Sequence, residues 1–161
     1  MMKRLALIAL AFLGSMALVS AEVVRPAPNF SWVNVQGKVE NLSAFKDRTI
    51  VLLITNSPRN WRFRGQLGQL NKLYQTFASR NTIFVAAFTE TPGRVNSNIP
   101  FVLASDGPRV GFEYGSNEQF LIAIIGRDGN LDCVTDRILP AQRILDIAVN
   151  SFVNQELMRR P

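Results

Sequence analysis

The chain has 161 residues, 47% of them hydrophobic, with 18 lysines and arginines against 12 aspartates and glutamates. No run of basic residues exceeds two, so the net charge of +6 falls short of a nucleic-acid signature. There is no histidine, and Cys133 is the single cysteine. That excludes a Ser/His/Asp or Cys/His triad, a histidine-bearing zinc site and an intramolecular disulfide.

Residues Met1 to Ala21 read as a secretory leader: Lys3 and Arg4 precede an apolar core from Leu5 to Val19. Val19-Ser20-Ala21 supplies the small residues of a cleavage site, with the cut expected after Ala21. An uncleaved membrane anchor is the alternative, but the apolar core is short for a span of about 20 residues. No cysteine follows the cut, which argues against a lipoprotein anchor. The expectation is a periplasmic or secreted protein with no stable membrane anchor, its residues 22–161 forming one domain. Without Lys3 and Arg4, 16 basic residues face 12 acidic ones.

The domain opens with an extended, proline-containing stretch, Glu22 to Asn29. Phe30 to Val35 alternates as a short strand, Gln36-Gly37 turns, and Lys38 to Asn41 pairs back. Ile50-Val51-Leu52-Leu53-Ile54 is apolar without alternation, as a strand covered on both faces should be. A loop from Asn56 to Arg62 contains Pro58. The helix after it places Leu67, Leu70, Leu73, Tyr74 and Phe77 on one stripe.

Thr82 to Phe88 is a second apolar strand, which with the first makes a parallel βαβ unit. Thr89 to Asn98 is a polar loop around Pro92-Gly93. Phe120 to Ile125 is a third core strand, and Asp128-Gly129 turns it back into Leu131 to Val134 as a hairpin. Pro140 to Met158 reads as the last helix, burying Ile144, Leu145, Ala148 and Phe152, with Leu157 a further candidate. Arg159 and Arg160 suit a helix C-terminus and need no functional reading.

These stretches resemble the thioredoxin-like superfamily, of the peroxiredoxin and thiol-reductase type. Ala27-Pro28-Asn29-Phe30 is similar to its Ala-Pro-Asp-Phe entry, and Leu42-Ser43-Ala44-Phe45-Lys46 to its Leu-Ser-x-Phe-Lys step. Pro100-Phe101-Val102-Leu103-Ala104-Ser105-Asp106 and Tyr114-Gly115 match further segments. The resemblance covers roughly Ala27 to Val149. It implies an α/β thioredoxin-like fold, a central mixed sheet with helices on both faces. Aligned on Leu67, Leu70, Leu73 and Tyr74, Asn60-Trp61-Arg62-Phe63 stands where the family has Cys-x-x-Cys, and Arg64 on a family arginine. The cis-proline expected before the third core strand is also missing from Ser116-Asn117-Glu118-Gln119. The ending is loosely similar to secreted bacterial thioredoxin-like domains of unknown function.

Two sites follow. Arg59, Asn60, Trp61, Arg62 and Arg64 gather at a helix N-terminus, where free backbone N–H groups and arginine forks favour an anion. The functional reading is a redox-inactive binding or scaffolding module for an acidic protein or anionic ligand. The bland reading is that the arginines are solvated, Trp61 packs on the sheet, and Asn60 or Ser57 caps the helix. Cys133 alternates with Leu131 and Thr135 and reads as a small core residue. Its functional reading is a thiol-dependent antioxidant or oxidoreductase, or a disulfide joining two chains. The scattered acids Glu90, Asp106, Glu113 and Glu118 form no defensible metal site or dyad, and no cofactor or metal is expected.

Overall fold

The computed structural model describes residues 25–117 and 119–150. The leader and its cleavage site lie outside the described residues, as do Glu118 and residues 151–161. The elements in chain order are β1 (Ser31–Val33), β2 (Val39–Asn41), β3 (Ile50–Thr55), α1 (Trp61–Lys72), α2 (Tyr74–Ser79), β4 (Ile83–Phe88), β5 (Phe101–Leu103), α3 (Gly107–Glu113), β6 (Phe120–Ile125), β7 (Leu131–Thr135) and α4 (Ala141–Val149).

Five strands form one mixed sheet in the order β5-β4-β3-β6-β7. β3 lies at its centre, parallel to β4 and antiparallel to β6. This placement follows from its unbroken apolar run, since only a strand covered on both faces has no solvent side to satisfy. Val51 and Leu53 enter one core with Phe63, Leu70, Phe77, Ile144 and Leu145. Ile50, Leu52 and Ile54 enter the other with Phe30, Trp32, Val110 and Tyr114. Thus α1, α2 and α4 supply one face, and α3 with the β1 strand the other.

Four local features differ from the sequence reading. β1 ends at Val33, because Asn34 Oδ1 accepts from the N–H groups of Gln36 and Lys38 and turns the chain. The helix starting at Trp61 breaks at Leu73, whose N–H bonds the Leu70 carbonyl one residue early. Phe77 on α2 nevertheless stays in the same core as Leu70. The short helix α3 has no apolar stripe to announce it. Asp106 caps it by accepting from the Arg109 N–H at 3.1 Å. Gly107 seats it, since a Cβ there would lie 1.8 Å from the Phe88 carbonyl oxygen.

The fourth difference concerns Cys133. Ile125 pairs Leu131 while Ile124 pairs Cys133, so Asp132 is a bulge residue. The extra residue sends Leu131 and Cys133 to opposite cores, against the same-face alternation read from the sequence. The last helix is described from Ala141, with Pro140 as its N-cap and Ile144, Leu145 and Ala148 buried as expected. Phe152 and Leu157 lie outside the described residues.

Candidate functional site

The carboxyl end of β3 delivers the chain into α1 through Asn56-Ser57-Pro58-Arg59-Asn60. Helix α1 starts at Trp61, two residues earlier than the loop reading to Arg62 allowed, because Asn60 caps it. Asn60 Oδ1 accepts from the N–H groups of Arg62 (2.8 Å) and Phe63 (3.3 Å), and the Asn60 carbonyl accepts from the Arg64 N–H. Asn60 Nδ2 donates to Asn56 Oδ1 at 2.9 Å and to the Gln119 carbonyl at 3.3 Å. Thr55 Oγ1 donates to that same carbonyl at 3.0 Å. The amide of Asn60 is therefore spent on both sides, tying the helix start to the chain entering β6.

This changes the electrostatic argument for an anion at the helix N-terminus. The first-turn N–H groups of Arg62, Phe63 and Arg64 already have acceptors, so the backbone offers an incoming anion little. What remains is side-chain charge. Helix α1 has no acidic residue in its first turn. Among the described residues the ion pair is Arg109–Glu113, at 3.5 Å, and the arginines of this junction have no carboxylate partner.

Phe63 points the other way. It is fully buried, edge-on to Phe88 with ring centroids 5.7 Å apart, and near Phe101 at 6.5 Å. Phe63 is thus a core anchor for the first turn. Trp61 remains 70% exposed, with the Arg62 guanidinium 5.4 Å from its ring centroid. The sheet-packed alternative for Trp61 does not hold, whereas the Asn60 cap does.

Five residues were grouped from the sequence, and the structure divides them. Arg59 and Arg64 line a cleft of about 770 Å³ between the start of α1 and the β4–β5 connection. Arg62 stacks on Trp61 instead, and Asn60 is buried beneath. The opposite wall brings in Arg94, which the sequence reading missed. The wall is held close by Gly93, where a Cβ would come within 2.6 Å of Pro58 Cγ. The N–H groups of Glu90 and Thr91 also donate to the Asn56 carbonyl. The Pro92-Gly93 turn was the only sequence signal that this loop folds back. A second hollow, about 490 Å³, lies beside Asn56 under Phe112, a residue 87% exposed.

Cys133 is elsewhere. It pairs Ile124, which pairs Val51, whereas the junction follows Thr55. Four residues along β3 put it about 13 Å down the strand direction from the junction. Burial holds its thiol above the ordinary value, with Asp132 adding to the rise and Arg143 opposing it. An activated thiol needs the reverse shift. Among the described residues no group of histidine, cysteine or carboxylate side chains is gathered to hold a metal, and no helix is long and apolar enough to cross a membrane.

No protein-family model and no curated protein matches this sequence. Solved structures do match in fold. A Neisseria meningitidis protein assigned as a thioredoxin superposes with a TM-score of 0.62 at 15% identity, over 85% of this chain and 99% of that one. The fold is thioredoxin-like. The mitochondrial 2-Cys peroxiredoxin of Plasmodium falciparum gives a TM-score of 0.60 at 20% identity, over 85% of this chain and 98% of its own. The thioredoxin domain of a thiol-disulfide oxidoreductase from Bacteroides vulgatus also gives 0.60, at 14% identity, over 76% and 95%. This thioredoxin-like chain carries one cysteine, so it lacks the Cys-x-x-Cys pair, and the positions aligned to that pair are a helix cap and a core aromatic.

Proposed function

We propose that this chain is a periplasmic or secreted thioredoxin-like binding module without thiol chemistry, which docks an acidic partner through the β3–α1 junction. One observation carries the reading. Across the four positions aligned to the thiol pair and its spacer, the outer two are spent inside the fold, while Trp61 is exposed and Arg62 is half-buried against its ring. Asn60 and Phe63 do structural work, while Trp61 and Arg62 lie at the surface between the exposed Arg59 and Arg64. Three cations at the positive end of a helix are mildly unfavourable for the fold. Their presence is accounted for if a partner supplies the negative charge, and an exposed tryptophan beside arginine is a common anchor of interfaces. The raised thiol of Cys133 and its distance from the junction weigh against the antioxidant reading.

The test is a triple charge reversal, Arg59→Glu, Arg62→Glu and Arg64→Glu, in the tagged, exported protein. Co-purifying partners should be lost while the thermal transition stays within a few degrees of wild type. Unchanged co-purification would count heavily against this function.

A further inference from the structure

The cleft beside the junction narrows the ligand. We infer that it holds an extended acidic peptide segment, with carboxylates gripped by Arg59 and Arg64 on one wall and Arg94 on the other. This rests on the binding-module reading and deepens it by naming a ligand class and a third arginine. Among the described residues no acidic side chain lines the cleft, so its charge is uncompensated by them. Arginine forks match carboxylates two bonds at a time, and two facing walls can hold carboxylates spaced along a chain.

A compact phosphate fits less well. Phosphate sites at helix starts use backbone N–H groups, and here Asn60 has taken those of the first turn. The cleft also offers Leu67, Pro58 and Pro92, apolar surface that a peptide can cover and a free phosphate cannot. Its volume of about 770 Å³ is that of a ligand cleft rather than a single-ion site. It opens on the β4 side of β3, whereas Asn60 reaches Gln119 on the β6 side, so it is separate from the buried polar network. Gly93 sets its width by letting the loop close on Pro58.

The probe is a fluorescein-labelled peptide of alternating glutamate and alanine, titrated with the purified protein and followed by anisotropy at low and physiological ionic strength. Arg94→Gln and Arg64→Gln should each weaken binding about tenfold, the loss of one charge-assisted contact, while Arg62→Gln stays within about twofold. Affinity should fall as salt rises. Gly93→Val, which leaves every charge in place, should weaken binding by spreading the walls. Binding that is indifferent to Arg94→Gln but lost in Arg62→Gln would overturn the cleft and leave the junction as the contact surface. No binding at low salt, or displacement by inorganic phosphate more readily than by unlabelled peptide, would overturn the acidic-peptide assignment. Neither result touches the partner-capture test of the junction itself.

Discussion

Helices α1 and α3 both start with an Asx cap, yet they treat their arginines differently. On α3 the cap is Asp106, whose negative charge suits the helix dipole, and Arg109 pairs Glu113 and reaches the Asn29 carbonyl at 3.4 Å. On α1 the cap is the neutral Asn60, and Arg59, Arg62 and Arg64 follow or flank it with no carboxylate partner among the described residues. The first arrangement is complete within the chain. The second leaves three arginines without a carboxylate among the described residues, and that difference is what the proposed binding role rests on.

The largest effect is expected at the two positions aligned to the thiol pair. Asn60→Cys with Phe63→Cys removes the cap and leaves a cavity beside Phe88, which should cost about 3–5 kcal/mol in denaturant titration. A double variant as stable as wild type would mean that these side chains do not hold the junction. On the α3 side, Gly107→Ala should cost about 1–3 kcal/mol by pushing the helix off the Phe88 carbonyl. A neutral result would show that α3 is not seated by that contact.

Smaller effects sharpen the contrast. Arg64→Glu should stabilise the protein by about 0.3–1 kcal/mol, because it puts an anion at the α1 N-terminus, while abolishing peptide binding. Arg109→Ala, on a half-exposed pair, should destabilise it by no more than about 0.5 kcal/mol. A loss of stability in Arg64→Glu would mean that the arginine serves the fold after all.

Near neutrality the titration effect is smaller still. Burial raises the Cys133 thiol, and burial with Glu113 raises the Tyr114 phenol, whose hydroxyl donates to the Pro28 carbonyl at 2.8 Å. In both cases the unfolded chain gives up its proton first. Stability should therefore be level up to about pH 8.5, decline above it, and decline further above about pH 10. Cys133→Ser should remove the first decline in thermal scans, and Tyr114→Phe the second.

The strands β3, β4 and β6 were legible because unbroken apolar runs have one stable home, the middle of a covered sheet. The Asn60 cap was legible as one of two options, since asparagine and serine are both good N-caps, and only the observed helix start at Trp61 decides between Ser57 and Asn60. Helix α3 was not, because Gly107 and Gly111 seat it by their lack of side chains rather than by an apolar pattern. The bulge at Asp132 left no mark in the alternation of Leu131, Cys133 and Thr135. Arg94 was missed because it is 30 residues from Arg64 and comes opposite it only once the loop folds back, through the Gly93–Pro58 approach and the bonds from Glu90 and Thr91 to the Asn56 carbonyl. Gln66 was missed for a similar reason. Its buried amide clamps both backbone groups of Leu139, at 2.9 and 2.8 Å, across 73 residues of sequence.

In the proposed reading, a thioredoxin-like fold without the Cys-x-x-Cys pair uses its β3–α1 junction for binding instead of thiol chemistry. The most direct measurement is thiol-dependent turnover by the purified protein, wild type beside Cys133→Ser, with peroxide consumption and disulfide reduction followed in the presence of a thiol donor. The account predicts no turnover above background in either protein. Turnover in wild type that disappears in Cys133→Ser would contradict it and make the hairpin thiol, not the arginine junction, the working site.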